Sequence, residues 1–199
     1  MGHENVGQLE MLSRITGDQI RLIADIQNPT IAILGVANGN GLSLFKAGQC
    51  KTIIGMDINE AFLDICRHRY RYLPELKLYK IDLMVEKDRA ADILRQVDLV
   101  IANLLVKHIH LNNFIDIVCQ LTNPTLSVTI QFDPDGIAVS HSGYETAFDT
   151  IQCHGQDCDE GQLTDAMFNI GYKQINRIVY ELPNQKLFIR LDYKRSDVM

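Results

Sequence analysis

Ile31-Ala32-Ile33-Leu34-Gly35-Val36-Ala37-Asn38-Gly39-Asn40-Gly41-Leu42, followed sixteen residues after its last glycine by Asp57, decides how the rest of this chain reads. Four apolar residues read as a buried strand, the turn after them is poor in side chains, and an amphipathic stretch begins at Leu42. A strand, turn and helix of this kind forms a nucleotide cradle. Glycine lets the backbone turn tightly and lets a ligand approach closely, and the amides at the next helix start point toward it. The second strand, Thr52-Ile53-Ile54-Gly55-Met56-Asp57, ends on a carboxylate where a ribose would lie, a place where carboxylates commonly accept both ribose hydroxyls. As a dinucleotide fingerprint the run is incomplete, because Gly39-x-Gly41 wants a third glycine at position 44 and Leu44 stands there. Glycine-rich turns also occur without any ligand, so the reading depends on the remaining sequence.

A length of 199 residues with 46% hydrophobic content fits one α/β domain, residues 1–199, with a continuous core. No apolar run is long enough to span a bilayer, and Met1-Gly2-His3-Glu4-Asn5 lacks the basic-then-apolar layout of a secretion signal. These features predict a cytoplasmic protein with no membrane partner. The five cysteines are an odd number scattered through apolar or mixed sequence, which suits a reducing compartment. Cys50, Cys66 and Cys119 read as core or near-core residues. A net charge of −6 repels nucleic acid. The one basic stretch, Arg67-His68-Arg69-Tyr70-Arg71-Tyr72, reads as a helix end whose cations offset the carbonyl dipole.

Along the chain, apolar positions at helical spacing predict two helices within residues 6–26, broken at Gly17-Asp18. A strand at 31–36, a helix at 41–48, the strand at 52–57 and a helix at 59–71 capped by Asn59 follow. Further strands are expected at 77–82, 98–103 and 125–132, with helices at 88–95 and 111–121 between them. Such alternation predicts a parallel sheet with helices on both faces, and ligands bind such sheets at the carboxyl ends of the strands. Asn38, Asp57, Asp82 and Asn103 all fall at such ends. The last third holds a helix at 162–170 closed by Gly171, then two strands, 174–181 and 186–193, whose short connection makes them antiparallel neighbours.

This order resembles the class I S-adenosylmethionine-dependent methyltransferases, in a three-layer Rossmann-like fold whose seven-stranded, mostly parallel sheet ends in an antiparallel hairpin. Residues 33–41 look like the family's first motif, Asp57 like its ribose-binding acid, and Ile81-Asp82-Leu83 like its adenine-contacting turn. Residues 98–109 look like its fourth motif. The resemblance implies that S-adenosylmethionine is the cofactor. Its methionine part would lie along Gly35, Val36, Ala37, Asn38 and Gly39, with its ribose hydroxyls on Asp57 and its adenine on Ile58. It further implies that Asp82 accepts from the adenine amino group, Leu83 donates through its backbone, and the Asn103 backbone meets the methionine end. Two departures stand out. Gly35 occupies the place of an acidic residue, and Ala37 that of a glycine, which is tolerable provided the backbone there need not take a positive φ.

A sulfonium is already a good leaving group, so positioning and water exclusion carry much of such a reaction and a dedicated base is optional. His108 is the candidate base, against the plainer reading that it closes a strand-to-helix loop. Asp133, Asp135, His141, Tyr144 and Glu145 are further substrate-side candidates, with loop polarity as their default explanation. Cys153, His154, Cys158 and Asp159 lack the paired spacing of a zinc site, so no metal is expected. Asn103-Leu104-Leu105-Val106 lacks the Asn-Pro-Pro-Tyr run of relatives that methylate planar amide or base nitrogens, which favours a small-molecule acceptor over nucleic acid. The competing readings are a noncatalytic S-adenosylmethionine- or nucleotide-binding module with a degenerate first motif, and a nicotinamide oxidoreductase, against which Leu44 and the hairpin speak. Residues 1–26 are expected to cover the crevice, to pack on a flank, or to pair two subunits in a homodimer.

Overall fold

The computed structural model describes residues 3–132, 159–183 and 186–196, and within the first helix the side chains from Gly7 onward. Seven strands form one sheet: β1 (Thr30–Leu34), β2 (Thr52–Asp57), β3 (Leu76–Lys80), β4 (Leu99–Asn103), β5 (Thr125–Phe132), β6 (Tyr172–Glu181) and β7 (Leu187–Arg195). Their order is β3-β2-β1-β4-β5-β7-β6, with the first five parallel and β7 antiparallel to both β5 and β6. Each parallel strand from β1 to β5 needs a crossover, and the chain reverses its direction of growth across the sheet between β1 and β4. That switch leaves a crevice at the strands' carboxyl ends.

Helices α1 (His3–Ile20), α2 (Glu60–Arg69), α3 (Lys87–Leu94), α4 (Val106–Ile109), α5 (Leu111–Val118) and α6 (Glu160–Asn169) cover the two faces. Ala32, Leu34, Met56, Val100, Ala102, Val128 and Leu191 pack under Leu94, Phe114, Ile117, Leu163 and Met167 of α3, α5 and α6. Their alternates Ile31, Ile33, Ile53, Leu99 and Ile101 point the other way, onto Leu63 and Cys66 of α2 and onto Leu42 and Phe45. The period of two in the strands therefore divides one sheet between two cores. Ile15 of α1 joins a third cluster with Tyr180, Leu182 and Phe188.

Several boundaries depart from the sequence expectations. The break at Gly17-Asp18 does not occur, and α1 runs on to Ile20 before a single 3-10 turn at Arg21–Ile23. A mid-helix glycine costs about 1 kcal/mol, and burial of Ile15, Thr16 and Gln19 around Gly17 outweighs it. The helix expected at 41–48 shrinks to one 3-10 turn, Leu42–Leu44. Gly41 and Gly48 sit at φ +78 and +77, and side chains of Gln49 and Glu75 take the Lys46 and Gly48 amides that a helix would use. The short α4 was not foreseen; His110 at φ 63, ψ 141 separates it from α5. Cys50 and Cys66 are buried as expected, but Cys119 is exposed, since it caps the solvent end of α5. Burial pushes the Cys66 thiol up to about 11, which leaves it inert. No helix among the described residues is long and apolar enough to cross a membrane.

Candidate functional site

A cavity of about 610 Å³ opens over the carboxyl ends of β1 to β4, within the roughly 300–1,000 Å³ usual for small-ligand sites. Gly35, Ala37, Asn38, Gly39, Asp57, Ile58, Asp82, Leu83, Asn103 and His108 all line it, so the structure brings together all but one of the cofactor-side residues named from the sequence, with the candidate base beside them. Val36 is the exception. Its side chain is fully buried in the core, its amide donates to Met56 O, and its carbonyl accepts from the Gly39 and Asn40 amides.

The glycine-rich loop is shaped by neighbours far away in sequence. Gly39 lies at φ +110, and a Cβ there would stand 2.1 Å from Cε2 of Tyr70, whose hydroxyl donates to the Gly39 carbonyl at 3.1 Å. Gly41 makes room for α1, since a Cβ would meet Thr16 Cγ2 at 2.5 Å. Gly35, at φ +67, backs onto Leu105, with Cδ1 3.0 Å from where a Cβ would be. Ala37 adopts φ +48, the condition under which an alanine is strained. Its amide donates to Asp57 Oδ2 at 2.8 Å, while Asp57 Oδ1 accepts from the Asn59 amide at 2.8 Å. The carboxylate at the end of β2 thus braces the loop after β1, and each oxygen, with one hydrogen bond accepted, keeps a lone pair at a residue that lines the cavity.

Beside it, Asp82 Oδ1 accepts from the Met84 amide at 2.9 Å, which turns the chain so that buried Leu83 and half-buried Met84 line one end of the cavity. Ile58, exposed, and Phe62, half-buried, face the same space from the start of α2. Asn59 caps that helix by accepting from the Ala61 and Phe62 amides. The basic stretch ends α2 as its charges suggest, and in addition Arg69 Nη1 donates to Asn38 O at 3.4 Å.

Asn103, at the end of β4, has its side chain fully engaged by protein. Its Oδ1 accepts from Gln19 Nε2 at 2.8 Å and from Thr129 Oγ1 at 2.7 Å, and its Nδ2 donates to Gln19 Oε1 at 3.0 Å and Thr16 Oγ1 at 3.2 Å. This reciprocal amide pair fastens α1 over the sheet, and Leu9, Leu12 and Ser13 one to two turns earlier form a wall of the cavity. A second link runs from Asp18 through the Tyr180 hydroxyl to buried Arg190, which donates to Asp192; Ser127 and Asn176 also donate to Asp192. The sequence reading did not single out Thr16, Gln19, Tyr70 or Leu105. Thr16 and Gln19 fall on the apolar face of α1 set by Leu12 and Ile15, and polar residues there were the available signal of a buried partner.

His108 stands exposed at the cavity, next to Lys107 on α4. Despite that exposure, the protein around the ring holds its pKa below the ordinary histidine value, and the Lys107 charge adds to the effect. Both effects favour the neutral ring, the form a proton acceptor needs. Asp133, Asp135, His141, Tyr144, Glu145, Cys153, His154 and Cys158 lie outside the described residues; Asp159 caps α6 through the Gly161 amide. Among the described residues no cluster of histidine, cysteine or acidic side chains could hold a metal ion.

The strand order, the inserted antiparallel β7 and a cavity at the β1–β4 switch define the fold of the class I S-adenosylmethionine-dependent methyltransferases. Solved structures share it across nearly the whole chain. Magnesium protoporphyrin IX methyltransferase from Synechocystis PCC 6803, with bound SAH, matches at TM-score 0.67 and 14% identity, covering 97% of this chain and 85% of that one. The 1,6-didemethyltoxoflavin-N1-methyltransferase of Burkholderia thailandensis matches at 0.66 and 12%, covering 95% and 78%. The cyclase SpnF matches at 0.65 and 11%, covering 92% and 81%. At these identities the likeness is one of fold. No protein-family model and no curated protein matches the sequence.

Proposed function

We propose that this protein is an S-adenosylmethionine-dependent methyltransferase acting on a small-molecule acceptor. The observation that carries the reading is the Asp57 carboxylate, facing the cavity at the end of β2 while it holds the glycine-rich loop through the Ala37 amide. Its remaining lone pairs suit the two ribose hydroxyls. Ile58, Leu83 and Met84 offer apolar surface for an adenine, Asp82 suits the adenine amino group, and half-buried Ala37 and Asn38, which line the cavity, suit the rest of the cofactor. S-adenosylmethionine supplies an electrophilic methyl whose sulfonium leaves as a neutral thioether. The chain's own part is to orient the acceptor and exclude water, with Leu9 and Leu12 of α1 closing the cavity and neutral His108 accepting a proton from an acceptor hydroxyl or amine. The net charge of −6 favours a small acceptor over nucleic acid, and two proteins sharing the fold are named for small-molecule methylation.

Calorimetry of the full chain with S-adenosylmethionine and S-adenosylhomocysteine tests the cofactor, and native mass spectrometry of copurifying ligand tests it without choosing an acceptor. Folded protein that binds neither compound refutes the proposal. The strained Ala37 and the packed Gly35 favour one rival, a noncatalytic binding module with a degenerate first motif. Tight cofactor binding with no methyl transfer across a broad small-molecule panel selects that rival.

A further inference from the structure

The cavity is electrostatically lopsided, and the imbalance bears on which part of a ligand it recognises. In the sheet order β3-β2-β1-β4, the acidic side chains that line it, Asp82 and Asp57, both lie at the β3–β2 end. The β1–β4 end is built from Gly35, Leu104, Leu105 and Asn103, facing Leu12. A side chain at Gly35 would be strained by its φ of +67 and would press on Leu105 Cδ1, 3.0 Å from the place of its Cβ. The Asn103 amide has both donor hydrogens and both acceptor lone pairs committed to Gln19, Thr16 and Thr129, so it has nothing left for a ligand. A ligand ammonium at this end therefore meets no described carboxylate, and only neutral acceptors, the backbone carbonyls and the Asn38 side chain, stand where they could replace its hydration.

Building on the cofactor reading above, we propose that the site recognises 5′-thioethers of adenosine through their nucleoside half, that the amino-acid tail adds little affinity, and that Leu105 is the residue that sets this selectivity. The ligand class is then wider than a methyl donor and its product. It includes adenosine thioethers with a short neutral tail, which place alkyl carbon against Leu12, Leu104 and Leu105 and keep the ribose and base contacts.

Calorimetric titration of the full chain with S-adenosylhomocysteine, 5′-methylthioadenosine and adenosine separates the possibilities. The expected result is that 5′-methylthioadenosine binds within about tenfold of S-adenosylhomocysteine, the span one charge-assisted contact would cover. S-adenosylhomocysteine binding more than about tenfold tighter overturns this inference and leaves the cofactor reading standing. Failure of all three compounds to bind folded protein overturns both. Leu105→Asp, which puts a carboxylate at the neutral end with ordinary helical backbone, should raise the preference for S-adenosylhomocysteine over 5′-methylthioadenosine by about tenfold. An unchanged preference in folded Leu105→Asp removes Leu105 as the determinant, while the wild-type ratio decides the remainder on its own.

Discussion

Asp57→Ala separates two roles that the carboxylate combines, because it holds the loop whether or not a ligand is present. The substitution removes two hydrogen bonds of 2.8 Å from a half-buried carboxylate, to the Ala37 and Asn59 amides. Charge-assisted bonds are worth about 1.5–3 kcal/mol each, and partial exposure puts these two at the low end, about 3 kcal/mol together. Once released, Ala37 leaves its positive φ and recovers about 1–2 kcal/mol of strain. The net loss is about 1–2 kcal/mol, which for a chain of this length lowers Tm by roughly 2–8 °C. Ala37→Gly supplies the control. In the wild-type background glycine relieves the strain and loses about 0.4–1 kcal/mol to unfolded-state entropy, so it is neutral to mildly stabilising. In the Asp57→Ala background no strain remains to be relieved, and the same change destabilises. Differential scanning calorimetry of the four proteins reads this change of sign. A Tm for Asp57→Ala within about 1 °C of wild type, or the same effect of Ala37→Gly in both backgrounds, refutes the bracing role. With saturating S-adenosylhomocysteine, Ala37→Gly should keep the ligand-induced rise in Tm, and Asp57→Ala should lose it.

Gly39→Ala combines an unfavourable φ with a contact 2.1 Å from the Tyr70 ring, for a loss of about 3 kcal/mol or more. Thermal unfolding should show a smaller loss in a Tyr70→Leu background, and equal losses in both would mean that the ring does not set the requirement. Gln19→Leu strands the Asn103 amide beneath α1, and a cycle with Asn103→Leu in urea unfolding should give a coupling of about 1–2 kcal/mol; additive losses would contradict the latch. The His108 pKa is lowered, so protonation is disfavoured in the folded state. NMR titration of the ring should place its pKa below about 6.5, and Lys107→Ala should raise it. The corresponding stability is complete above the unfolded histidine pKa and is lost as pH falls through the folded one. A ring that titrates at or above the ordinary value refutes this.

The parallel half of the fold was legible because its strands, apart from the alternating edge strand β3, are short, mainly apolar runs at regular intervals, and β2 and β5 begin and end where the pattern places them. The hairpin was legible from two alternating runs and a short connection, although each strand extends two residues beyond its pattern at one end. What the sequence did not disclose depends on contacts between distant residues. Nothing local at 41–48 says that Glu75 will take the Gly48 amide. Nor does anything near Asn103 reveal that its side chain belongs to a helix 84 positions earlier. The proviso on Ala37 came from local geometry, and it was the backbone bracing by Asp57 that decided it.

This division bears on which residues are evidence of a ligand at all. The glycines that mark the loop as a nucleotide cradle each have a packing partner that requires them: Leu105 at Gly35, Tyr70 at Gly39 and Thr16 at Gly41. A chain with this fold would need those glycines even if it bound nothing, so their pattern reports the packing of α1, α2 and α4 around the loop. Packing gives no comparable reason for an acid at the end of β2 to face the cavity, since an amide or hydroxyl acceptor could also hold the Ala37 amide. Nor does it explain why the loop keeps Ala37 at φ +48. Strain held at the edge of a cavity by a cavity-facing carboxylate is the observation that favours a bound ligand over an empty scaffold. The decisive variants are accordingly those of Asp57 and Ala37, since loss of binding in a glycine variant would follow from a disordered loop as readily as from a lost contact.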